Sequence, residues 1–198
     1  MNKLILAIAV AILALAMLAC PVMATPKESS PAWYTIPVSQ PSAAEISYEE
    51  LTELCLDAGL SENPYPTPTT PTTVVNFPMY YVYGASEYRE FTFKIGDEIY
   101  QGISYDPYDM TMNLVTGNGE IVFKATWYLG DIGQMDHGFV GTITVPFYGY
   151  GTEDYYYTGT MMLKGFGHFT GQTAELTVDT RENVPPAGYL TVLGNRIK

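Results

Sequence analysis

The sequence predicts an all-β protein. The expected fold is a small antiparallel β-barrel of about eight strands, preceded by a signal peptide, one short helix and a Pro/Thr linker. Three observations carry this. From Phe91 onward apolar and polar residues alternate, the period of a strand that buries one face. Breaks rich in Gly, Asn and Asp separate the alternating runs at short intervals, as hairpin turns require. The composition is aromatic and sparsely charged, with 17 tyrosines among 198 residues, which suits strands. Closure is preferred to an open two-sheet sandwich because a closed barrel exposes no unpaired edge. A β-helix is disfavoured by the lack of a fixed short repeat.

The first 24 residues read as an export signal. Asn2 and Lys3 precede an unbroken apolar run, Leu4–Ala19, and Val22-Met23-Ala24 suits cleavage after Ala24. The run is short for a full span, which needs about 20 apolar residues. The chain is therefore expected to be secreted or extracytoplasmic. A retained signal anchor, or a lipid on Cys20 in Met17-Leu18-Ala19-Cys20, are the two alternatives that would hold it at the outer face of a membrane. With Cys20 removed only Cys55 remains, so no internal disulfide forms, and Cys55 reads as a small buried hydrophobe. Loss of Lys3 with the signal moves the formal net charge from −12 to −13. So acidic a surface repels nucleic acid and anionic lipid and favours cationic partners.

Residues 25–60 form a leader whose helix is expected over about 42–58. Ser42 with Glu45 and Ser47 with Glu50 each match a capping box, Leu51, Leu54, Cys55 and Ala58 share one face, and Gly59 stops the helix. A helix this short needs a surface to dock on. Residues 61–73, SENPYPTPTTPTT, read as a semi-rigid linker with threonines open to O-glycosylation. The barrel domain follows over 74–198. Phe91, Phe93 and Ile95 face one way, opposite Glu90, Thr92 and Lys94, and Gly96-Asp97 makes a turn. Ile99–Tyr105 is a strand that Asp106-Pro107 breaks. Met110, Met112 and Leu114 begin another, and Gly117-Asn118-Gly119 is a hairpin signal. Ile121 to Leu129, Phe139 to Phe147 and Tyr155 to Leu163 each place every second residue inward. Ala174 to Val178 and Tyr189 to Leu193 supply the last two strands.

The stretch TGTMMLKGFGHFTGQTAEL, Thr158–Leu176, sets glycines 165, 167 and 171 around Phe169. Glycines in a tightly coiled barrel relieve crowding and let an aromatic ring cover bare backbone. Gly165 and Gly167 are expected to continue the inward parity of Tyr155 to Leu163. A phosphate loop is disfavoured, because a strand pattern rather than a helix follows. Gly165-x-Gly167-x-Phe169-x-Gly171 between two strands resembles the dirigent and allene-oxide-cyclase-like barrels. A later glycine common there is replaced near Ala174. The resemblance spans about twenty residues. It implies an eight-stranded barrel with a hydrophobic cavity, often secreted and in some members dimeric or trimeric. It assigns no catalytic residue to this chain.

No Ser-His-Asp or Cys-His constellation and no cofactor motif is recognisable. Asp131, Asp136 and His137 in GDIGQMDHG match no zinc or calcium spacing. Asp106 and Asp109 in DPYD read as turn-stabilising carboxylates, and Glu153-Asp154 sits beside three tyrosines that suit a sugar or a cation. The candidate ligand-binding residues are Tyr155, Tyr157, Trp127 and Met161 inside the barrel, and His168 at its rim or outer face. The expected role is binding, of an apolar small molecule inside the barrel or of a surface partner. The alternatives are an isomerase or cyclase acting on a hydrophobic substrate, with His168 and Tyr157 in acid–base work, and a structural cell-surface module.

Overall fold

The structure, a computed structural model, describes residues 32–182 and 184–194. The expected signal segment and Cys20 lie outside the described residues. The described chain runs β1 (Ala32–Ile46), α1 (Tyr48–Asp57), β2 (Thr72–Asn76), β3 (Met79–Ile95), β4 (Glu98–Asn113), β5 (Gly119–Leu129), β6 (Gly138–Tyr148), β7 (Tyr156–Phe166), β8 (Thr173–Asp179) and β9 (Val184–Gly194). Single 3-10 turns cover Gly167–Phe169 and Thr180–Glu182. Strands β3 to β9 pair in sequence order, and β1 joins β9 to β3, so eight antiparallel strands close a barrel. β2 stands outside the ring, paired only with the start of β3.

β1 makes the closure. Its first half runs along β9, from Ala32 opposite Gly194 to Ser39 opposite Ala187. Its second half runs along β3, ending with Ile46 opposite Tyr88. The register shifts between Ser39 and Ser42, where Pro41 stands. A proline lacks the amide a ladder needs, and a bulge is where a strand tolerates it. This corrects the helix expected over 42–58 and the barrel boundary expected at 74. Residues 42–46 are strand, because β3 would otherwise leave an open edge along them.

Only the second capping box forms. Glu50 N donates to Ser47 Oγ at 3.1 Å, and Ser47 N donates to Glu50 Oε2 at 2.9 Å. The Ser47 amide, together with the Ser47 hydroxyl donating to the same Oε2 at 2.8 Å, holds the Glu50 carboxyl below its ordinary range. Ser47→Ala is expected to cost about 1 kcal/mol, read as a lower urea midpoint. An unchanged midpoint would mean that docking alone holds the helix. α1 docks outside the barrel, burying Leu51 and Cys55 against Tyr65, Tyr88 and Ile103. Leu54 and Ala58, expected on that face, stay exposed. Burial pushes the Cys55 thiol up, as suits a packed hydrophobe rather than a nucleophile.

The Pro/Thr segment lies against the barrel instead of spacing two bodies apart. Tyr65 is 3% exposed, and its hydroxyl accepts from Gly133 N at 3.0 Å. Burial pushes the Tyr65 phenol up to about 12. The Tyr88 hydroxyl donates to Pro66 O, and Thr69 Oγ1 donates to Gly84 O. Proline-fixed backbone loses little further entropy when tied down this way.

Inside, the alternation expected of β5, β6 and β7 is realised, and Phe93, Phe139 and Leu163 have no exposed surface. Phe93 meets Trp127 and Phe139 edge to face, each at 5.6 Å. One end of the barrel has an aromatic floor. β7 stops at Phe166, and the turn that follows swings Phe169 inward to within 4.9 Å of Phe139 and 5.7 Å of Tyr100. Gly167 has φ +60°, and a Cβ there would stand 2.1 Å from Asp136 O. A side chain at Gly165 would stand 2.0 Å from Phe169 O. The two glycines therefore shape this turn. Gly165, opposite Phe139, continues the inward row of β7 as expected, whereas Gly167 lies in the 3-10 turn beyond it. Rings cover bare backbone elsewhere: Phe91 lies over Gly102 and Phe147 over Gly119.

Candidate functional site

The other end of the barrel opens into a cavity of about 670 Å³, within the range of small-molecule pockets. The barrel geometry creates it. The floor half is packed with Phe93, Phe139, Leu163 and Leu176, all without exposed surface. Toward the open end the inward positions carry Ile143, Val145, Met161 and Val178, with Gly159 adding no side chain to β7 between Tyr157 and Met161. Phe147 and Trp127 line the wall, and Tyr108, Tyr150, Tyr155 and Tyr157 stand around it. Tyr155 packs on Tyr150 edge to face at 5.6 Å, and burial pushes the Tyr108 and Tyr155 phenols up.

One side of this aromatic cavity is polar. The β3–β4 register sets Glu87 opposite Asp106 and Arg89 opposite Ser104. Phe93, Phe91, Arg89 and Glu87 share one parity on β3, so the two charges continue an inward apolar row. Asp106 is 7% exposed. Its Oδ2 accepts from Ser104 Oγ at 2.7 Å, while its Oδ1 is buried without a hydrogen-bond partner. Burial pushes the Asp106 carboxyl up to about 6, with Ser104 and the Arg89 charge pulling it partly back and Glu87 raising it further. Burial likewise raises Glu87, opposed by Arg89 and reinforced by Glu45. Arg89 Nη2 lies 2.6 Å from Glu87 Oε1, an ion pair in which Coulomb attraction is the larger contribution.

Tyr155, Tyr157, Trp127 and Met161 all line the cavity. His168 does not. It follows the end of β7 away from Tyr155 and Tyr157, is exposed, and stacks on His137 at 4.7 Å. His137 Nδ1 is 2.6 Å from Asp136 Oδ1, which lowers the Asp136 pKa. Among the described residues no group of three or more His, Cys, Asp or Glu side chains is placed to hold a metal ion.

The sequence reading missed Asp106, Glu87, Arg89 and Ser104. Asp106-Pro107 looks like a strand break but lies within the continuous β4, where Pro107 sits opposite Ser86. The ladder to β5 skips residues 106 and 107, so the missing proline amide costs no bond on that side. The available signal was parity: extending the Phe91–Phe93 row backwards reads Arg89 and Glu87 as inward.

Fold and site together define the class. It is an eight-stranded antiparallel barrel with a buried aromatic cluster, floored at one end and hollow at the other. No protein family, curated protein or solved structure matches the chain.

Proposed function

We propose that this protein is an extracytoplasmic binding barrel that takes an apolar small molecule into its open end, and that it is a barrel of the dirigent and allene-oxide-cyclase-like type. The supporting observation is the 670 Å³ cavity, walled by aromatic and aliphatic side chains and carrying one cluster of convergent polar groups. A packed small barrel has no such space. The kinship is supported by the eight-stranded closure and by the glycine-shaped turn at Gly165, Gly167 and Gly171. The location outside the cytoplasm is supported by the apolar leader.

Native mass spectrometry of protein purified from its own host tests the reading. The expected result is a co-purified mass that Val145→Trp, which fills the cavity from β6, removes without unfolding the barrel. A folded wild-type protein that carries no adduct and takes up no apolar probe would refute it. A second reading, acid–base isomerisation of an apolar substrate, is favoured by Asp106, a buried carboxyl poised at about 6 in the cavity wall. Recovery of the bound molecule chemically unaltered, by chromatography after long incubation, would reject that reading and leave binding intact.

A further inference from the structure

The geometry points to an apolar amine as the ligand: a hydrophobic body in the aromatic half of the cavity, with its ammonium group against the Asp106 and Glu87 carboxyls that line it. The inference rests on the binding reading above and names the chemistry of the occupant.

Three features select a cation. The first is an acceptor with no donor. Asp106 lines the cavity and is 7% exposed; its Oδ1 is buried without a partner, while Oδ2 already holds the Ser104 hydroxyl. Leaving a buried acceptor unmet is costly, and a donor brought to this carboxyl offsets that cost. The second is charge. Asp106 and Glu87 line the cavity, and Glu45 lies opposite Arg89 in the β1–β3 register, close enough to raise Glu87 and Tyr108. Among the described residues Arg89 is the one cationic side chain lining the cavity, against the two carboxyls of Glu87, with which it pairs, and Asp106. A carboxylate ligand would meet this acidic surplus with its own negative charge. An ammonium is drawn to it, the more strongly because the walls exclude water. The third is the rim. Tyr108, Tyr150, Tyr155 and Tyr157 present ring faces and edges around the same space, and a desolvated cation beside such rings gains further attraction. The acidic chain as a whole favours a cation at long range.

The binding should depend on pH. The charged groups acting on Asp106 are Arg89 and Glu87 on β3; Glu45 on β1 acts in turn on Glu87, Tyr108 on β4 and Tyr150, Tyr155 and Tyr157 line the same cavity, and β5 presents the apolar Ile121, Phe123 and Trp127. An ammonium favours the ionised carboxyl. Below about pH 6 binding must first remove the Asp106 proton, and affinity falls by up to tenfold per pH unit.

The test uses one apolar tail with three heads: n-octylamine, n-octanol and octanoate, followed by calorimetry and by the fluorescence of Trp127 in the cavity wall. At about pH 7.5 octylamine is expected to bind at least tenfold tighter than octanol, with octanoate weakest, and the amine preference is expected to fade toward pH 5. Asp106→Asn should collapse the octylamine-to-octanol ratio to within about threefold. Equal affinity for octanol and octylamine in the wild-type protein, or tightest binding of octanoate, overturns the amine assignment and leaves the binding barrel standing. Failure of all three to bind overturns both.

Discussion

Phe93→Ala is expected to destabilise the protein by about 3–5 kcal/mol, the usual cost of deleting a fully buried aromatic ring. Phe93 has no exposed surface and touches Trp127 and Phe139 edge to face. Through Phe139 it is linked to Phe169, which floors the barrel. The loss therefore combines transfer of the ring to water with a cavity that β3, β5 and β6 cannot collapse, because each is fixed by ladders on both sides. Phe93→Leu should cost much less, since it keeps most of the volume. Urea unfolding with a constant m-value checks both. A Phe93→Ala cost below about 1 kcal/mol would mean that the ring does not sit at the centre of the packing.

The same substitution reports on what the sequence could reveal. The parity of Phe93, Trp127, Phe139 and Leu163 is legible because each barrel strand buries one face and wets the other, so a local period of two is enough. β1 is not legible in that way. Pro37 and Pro41 interrupt it, and Ser42 with Glu45 imitates a helix start as well as Ser47 with Glu50 does. Which box forms is decided by a distant fact: β3 needs a partner for residues Tyr88–Ile95, and β1 supplies it. The polar side of the cavity was hidden for the same reason. Asp106 beside a proline looks like a turn until β3 is laid against it and Glu87 comes opposite. Local chemistry favours the turn, and ladder bonds formed across a hairpin override it. His168 shows the converse. Its glycine neighbourhood drew attention to it, but those glycines serve the turn that carries Phe169 inward, and the histidine is left on the outside.

Asp106→Asn is expected to stabilise the protein at about pH 7.5 and to make no difference near pH 4. The Asp106 carboxyl is raised in the folded state from 3.8 to about 6, with burial the main cause. The native state therefore binds a proton more tightly than the unfolded chain. Stability due to this group is fully present below about 3.8 and is lost as pH rises through about 6. Each pKa unit corresponds to about 1.4 kcal/mol, so ionisation costs the folded protein on the order of 2–3 kcal/mol by neutral pH. Glu87, also raised by burial, adds to the same decline in the wild-type protein. Asparagine keeps an acceptor for the Ser104 hydroxyl and carries no charge, so it removes the Asp106 share of that loss. Thermal melts of both proteins check this. The variant should melt several degrees higher at about pH 7.5, at about 2–4 °C per kcal/mol, and with the wild type near pH 4. A variant less stable at about pH 7.5 but not near pH 4 would show instead that Arg89 and Glu87 depend on the Asp106 charge for their own pairing. If the gain is seen, the carboxyl is a group the fold would be more stable without. A buried carboxyl kept at such a cost in the wall of an open cavity, with one oxygen unmet, is what a binding or proton-transfer site requires and what packing alone does not explain.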